Sequence, residues 1–199
     1  MVEEASARLI PGPADDPSER GHPGAREAQV TRYIDTMLGA LSLSPAKVFA
    51  GGPFSDRAGS RTDDMATFIG LSPAEAYGWH HRLGAYRSAY KKGVAALDAL
   101  VAGGDFAAAG NNERDAALVK DPDGFVSLLF GHAIEGMYSP PEYGGNHDLV
   151  GWKDISFPGD VQPRGFTARE VSASDGLDRY RPEGVALELL RLIHISSGR

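Results

Sequence analysis

His132, Glu135 and His147 are the side chains of this sequence best suited to moving protons near neutral pH. His132 falls on the apolar side of a helical pattern, "GFVSLLFGHAIEGMY", where a histidine is most often a hydrogen-bonded core residue. Glu135 lies beside it and a Pro-rich turn follows, so the two are also candidates for the edge of a site. His147 belongs to Asn146-His147-Asp148, three polar side chains in a Gly-rich turn. A metal would need further ligands than these, and Asn and Asp in such a stretch usually make turns and caps. His80-His81 is no chelating pair, because adjacent residues on a helix point about 100° apart. The expectation is one partly buried histidine beside an exposed one.

Other chemistries have less to stand on. No GxGxxG, GxxxxGK[ST], GxSxG or HExxH motif occurs, and no βαβ pattern would hold a nucleotide. With 0 Cys there is no disulfide, thiolate metal site or Cys nucleophile. The sequence therefore predicts no cofactor, metal or catalytic residue of its own. A formal net charge of -7 without a Lys/Arg run speaks against nucleic acid and anionic membranes as partners. No apolar run approaches the ~18 residues of a membrane span, so no membrane insertion is expected. The opening stretch "MVEEASARLIPGPADDPSERG" has no basic region, apolar run or twin arginine. It carries no export signal, and a cytoplasmic location is expected.

The elements that must position these groups are helical. In "PGAREAQVTRYIDTMLGALSL", Val30, Tyr33, Ile34, Met37, Leu38 and Leu41 make one apolar stripe, with Pro23 in the first turn. Ser72-Pro73-Ala74-Glu75 is a capping box opening a long pattern that Gly103-Gly104 ends. Gly78, Gly84 and Gly93 weaken that pattern by roughly 1 kcal/mol each, so it reads as one kinked helix or two shorter ones. A short helix is expected from Asn112 to Val119, and another after Asp121-Pro122-Asp123 until Pro140-Pro141. "ISF" at residues 155–157 is a candidate short strand, and Pro182 opens a C-terminal helix. With 25 Gly and 13 Pro, much chain lies outside these elements. The fold expected is mainly α: an irregular helical core of four to five helices, long Gly/Pro-rich loops and extended terminal arms. Residues 1–22 read as a flexible arm, residues 23–199 as a single helical domain, and residues 139–181 within it as a largely irregular segment.

Two long stretches carry a resemblance: "YRSAYKKGVAALDALV" and "GFVSLLFGHAIEGMYSPPEYGGNHDLVGWKDISFPG". "PGAREAQVTRYIDTML" and "VFAGGPFSDR" add to it more weakly. The chain resembles the gluconate 2-dehydrogenase subunit 3 family, the small subunits of flavin-dependent sugar dehydrogenases. The resemblance implies a non-catalytic helical companion of a large FAD-dependent subunit of the glucose-methanol-choline type. That large subunit oxidises a sugar, glycoside or related alcohol, and a cytochrome subunit is a further partner where one exists. FAD would sit in the partner and no cofactor in this chain. Many members of the family carry a twin-arginine signal, which this sequence lacks, so a periplasmic complex is the alternative to a cytoplasmic one.

Aromatic residues on Gly/Pro-rich arms suit such a companion, since exposed on a monomer they would form sticky patches. The interface residues expected are Phe54, Tyr143, Gly144, Gly145, Asn146, His147, Trp152 and Phe157. Phe68 and Phe166 lie on similar arms. Two other classes of function stay open at this point. One is an independent acid–base enzyme using His132, Glu135 and His147. The other is a helical protein that binds a small molecule alone.

Overall fold

The computed structural model describes residues 1–43, 46, 48, 70–121 and 123–157. Among these residues are six α-helices and four short 3-10 turns, and no strand. The mainly α expectation holds. The stripes foreseen in sequence become α2 (Val30–Gly39), α3 (Pro73–Ala99), α4 (Asn111–Lys120) and α5 (Phe125–Tyr138). The remaining two, α1 (Val2–Leu9) and α6 (Val150–Asp154), lie where an arm and an irregular segment were expected. Residues 155–157 are a turn that closes α6 rather than a strand, and Ser156 has a φ of 55°. Phe54, Phe68, Phe166 and the helix expected after Pro182 lie outside the described residues.

The long helix is unbroken. Ser72 Oγ accepts from Glu75 N, and the Glu75 carboxylate accepts from Ser72 N at 2.7 Å, so the capping box is complete. α3 then runs 27 residues through all three glycines. Gly93 has a packing reason: a Cβ there would lie 2.0 Å from the Phe125 ring of α5. The helix-weakening residue is what lets α3 and α5 close. α2 begins later than expected. Gln29 adopts the left-handed region at φ 54°, which ends the turns after Pro23 and starts the helix at Val30.

The reading of residues 1–22 as a flexible arm is corrected. Ala5, Ser6 and Ala7 are buried, and α1 packs against α2, α4 and α5. Small side chains allow this close approach, and they gave no large apolar stripe to read. Charges then fasten the helix. Arg8 makes a two-pronged pair with Asp115, Nε and Nη2 each donating at 2.7 Å. The Glu4 carboxylate accepts from Arg26 and Arg114, both at 2.7 Å. The Arg26 hydrogen bond above all holds the Glu4 carboxyl below its ordinary range. Arg26 also reaches Glu3 and Asp15, each at 2.9 Å. Bidentate, multiply shared guanidinium pairs are the stronger kind of surface ion pair.

α5 is the central element, in contact with α1, α2, α3 and α6. Its inward side carries Phe125, Leu129, His132, Ala133 and Met137. These meet Tyr33 and Ile34 of α2 and Tyr90 and Leu97 of α3 in the main core. A smaller cluster of Ala40, Val48 and Leu83 gathers beside it, with Trp79 and Tyr86 packed on it.

Candidate functional site

The residues after α5 form a clip over the end of that helix. The last carbonyls of a helix lack intrahelical donors and need others. Asn146 supplies several of the bonds. Its N–H donates to Gly136 O at 2.7 Å, and its Nδ2 to Ser139 O at 3.2 Å. Its Oδ1 accepts from Gly151 N at 3.0 Å and Trp152 N at 3.4 Å, which caps α6. Trp152 Nε1 donates to Tyr138 O at 2.7 Å. The backbones approach closely at two glycines. A Cβ on Gly145 would sit 2.2 Å from Gly136 O, and one on Gly151 would sit 2.1 Å from Met137 O. Gly144, at φ 103°, turns the chain into this approach.

Several of the expected interface residues are therefore internal. Asn146 is 0% exposed, Trp152 is 5% exposed, and Gly145 is buried. Their contact area is taken up by α5 of the same chain, because α5 ends in carbonyls that need donors. His147 has its backbone N–H on Ala28 O at 3.2 Å, and its exposed imidazole lies 3.5 Å from the Asp148 carboxylate. Phe157 leans edge-on against Trp152 and keeps an exposed face. Tyr143 is half-buried and faces a cavity.

That cavity, of about 450 Å³, is bounded by α2, α3, α5 and the turn Pro141–Tyr143. Tyr33, Met37, Val48, Trp79, Ile134, Tyr138 and Tyr143 make its walls apolar and aromatic. Thr36, Glu135 and Ser139 are its polar members. The Glu135 carboxylate accepts from Tyr33 OH at 2.7 Å. Burial, and then that carboxylate, push the Tyr33 phenol far above its ordinary range. Burial pushes Tyr143 up to about 12. Both phenols stay protonated donors at neutral pH. The Ser139 hydroxyl is buried without a hydrogen-bond partner. Sequence reasoning marked Glu135 and Tyr143 but missed Trp79 and Tyr33 as their companions. Tyr33 belongs to the apolar stripe of α2 and Trp79 lies within the long pattern of α3, where neither stands out as a cavity residue.

The candidate acid–base trio is not assembled here, since neither His132 nor His147 lines this cavity. His132 is buried between α3 and α5, with Nδ1 3.0 Å from Tyr90 OH and Tyr86 edge-on at 4.7 Å. His80 and His81 are both exposed, against the expectation that one is partly buried, and His81 packs edge-on against Tyr77. No group of three His, Cys, Asp or Glu that could hold a metal occurs among the described residues. Nor is any helix among them long and apolar enough to cross a membrane.

Burial lowers the pKa of His132, and the nearby Glu135 opposes this more weakly. A base whose folded pKa is depressed favours the neutral form in the fold. Below about pH 6.5 the unfolded chain binds the extra proton first, so stability falls as pH is lowered through that window. In His132→Gln, which keeps an acceptor for Tyr90, this decline below about pH 6.5 should flatten. Urea midpoints at several pH values measure it, and an equally steep decline in the variant would discard the assignment.

The gluconate 2-dehydrogenase subunit 3 family model matches residues 1–159. The chain belongs to that family. The match takes in all six helices and the whole clip. No curated protein and no solved structure matches the chain. Gluconate 2-dehydrogenase subunit 3 is a subunit of a multi-subunit dehydrogenase, so membership implies partner subunits. Two features of this subunit 3 chain bear on that: the clip, which turns the aromatic segment inward, and the aromatic cavity, which stays open.

Proposed function

We propose that the chain is the non-catalytic small subunit of a heteromeric FAD-dependent oxidoreductase of the glucose-methanol-choline type. The large subunit acts on a sugar, glycoside or related alcohol. The small one stabilises it and shapes its substrate entrance. The family match over residues 1–159 is the observation that carries this reading. Two structural points support it. A dinucleotide is held at a strand–turn–helix junction, and the described residues offer no strand. His132, Glu135 and His147 meet separate partners, Tyr90, Tyr33 and Asp148 respectively, which favours this reading over an acid–base trio. FAD then belongs to the large subunit, and a cytochrome is a further partner where the complex passes electrons onward.

The test is co-expression of the tagged chain with a large flavin-dependent subunit from the same genome. The expected product is a yellow complex that oxidises a sugar with an artificial electron acceptor. The tagged chain alone should show neither flavin absorbance nor turnover. Stoichiometric flavin on the isolated chain would overturn the assignment.

A further inference from the structure

Resting on the small-subunit reading, we propose that the aromatic cavity is a docking socket for a basic side chain of the large subunit. Among the described residues that line the cavity, Glu135 is the one carboxylate and none is Lys or Arg. Tyr33 OH donates to one carboxylate oxygen, Oε2, at 2.7 Å. Among the described residues no donor reaches Oε1. Tyr33, Trp79 and Tyr143 line the same cavity, and aromatic ring faces attract a cation at short range. Trp79 already takes part in one such contact, with the Arg82 guanidinium 4.6 Å from its centroid. A carboxylate that shares a cavity with aromatic side chains, with no Lys or Arg among the described lining residues, is complementary to a lysine or arginine.

The apolar surface beside the socket indicates that the cation arrives on a protein. Ile134 lines the cavity and is 39% exposed; Phe130, one helical turn before it on α5, is 44% exposed. These two continue the cavity wall along the outside of the central helix. A small free cation would fill the socket and leave both uncovered. A subunit whose basic side chain enters the socket would lay apolar surface along α5, an apolar anchor strip beside a charged pair. The overall charge of -7 favours a partner that presents positive groups.

The experiment compares the tagged wild-type chain with Glu135→Gln, Ile134→Asp and Phe130→Asp, each co-expressed with the large flavin subunit. Val119→Asp, on the 87% exposed Val119 of α4, serves as the surface control. The Gln amide oxygen still accepts from Tyr33, so the first variant removes charge and keeps the local bond. Retained flavin per tagged chain should fall about tenfold in Glu135→Gln and about thirtyfold or more in the two Asp variants. The control should match wild type. Helix content and melting of each isolated chain exclude misfolding as the cause. In the wild-type complex, amide exchange along residues 130–138 should slow relative to the free chain. If the wild-type chain retains the flavoprotein and all variants retain it equally, the socket is not the interface. If only the Asp variants lose it, an apolar strip docks without a basic side chain and the proposal fails. If the wild-type chain retains no flavoprotein, the small-subunit reading itself falls.

Discussion

Gly151→Ala is expected to lower the stability of the isolated chain by about 3 kcal/mol, the upper end of typical overpacking penalties. On propensity alone the sign would be the reverse. Gly151 lies within α6, where alanine gains up to about 1 kcal/mol over glycine. The new Cβ, however, would stand 2.1 Å from Met137 O and 3.0 Å from the carbonyl carbon. Those atoms belong to the backbone of α5 and cannot rotate aside as a side chain could. Relief requires α6 to lift off α5. That would stretch the Asn146 bond to Gly151 N and the Trp152 bond to Tyr138 O. Gly84→Ala is the matched control, since open space surrounds Gly84 on α3, and it should stabilise by about 0.5–1 kcal/mol. Urea unfolding of both variants measures the difference. A Gly151→Ala chain as stable as wild type would show that the two helices do not meet as described.

Trp152→Ala should destabilise the isolated chain by about 3–5 kcal/mol, the usual range for truncating a buried large aromatic. The indole is 5% exposed and its Nε1–H bonds Tyr138 O at 2.7 Å. Truncation leaves both a void and an unanswered carbonyl at the end of α5. Phe157→Ala, at a ring that keeps 44% of its surface exposed, should cost about 1 kcal/mol or less. The comparison also separates internal from intermolecular roles. Were Trp152 a docking anchor alone, the free chain would melt as wild type and only the complex would weaken. An unchanged midpoint for the free Trp152→Ala chain would therefore reverse the internal assignment.

How much of this was legible depended on where each residue's partner lay. The Ser72–Glu75 capping box and the stripe from Val30 through Ile34 are local patterns; α3 starts at that box, and α2 forms on that stripe though it starts later than expected. α1 escaped because it buries Ala5, Ser6 and Ala7, residues with too little apolar surface to mark a face. Its fasteners, Arg26, Arg114 and Asp115, are distant in the chain. The segment after α5 was recognisable as unusual, since Gly145, Asn146, Gly151 and Trp152 together ask for close packing. Composition cannot say against which chain that packing occurs. The last turn of α5 supplies the answer, through carbonyls that a sequence does not display. The cavity was half legible: Glu135 and Tyr143 stood out as polar or aromatic residues near a turn, whereas Tyr33 and Trp79 looked like ordinary stripe members.

The clip also has a place in the order of assembly. Its donors bond Gly136 O, Tyr138 O and Ala28 O, acceptors that are correctly placed only after α5 has wound and the chain before α2 has settled. Its bond from His147 N to Ala28 O joins residues far apart in the chain, so loop closure opposes that contact until the helices have met. Asn146, Asp148, Leu149 and Ser156 all hold positive φ, a conformation costing roughly 1–2 kcal/mol for a residue with a Cβ. A segment that closes late and under strain is the natural first unit to open. Its release would strip the end of α5 and bare Trp152 while the rest of the bundle stayed intact. Trp152 thus has two existences, hidden in the closed chain and available for contact only in the opened one.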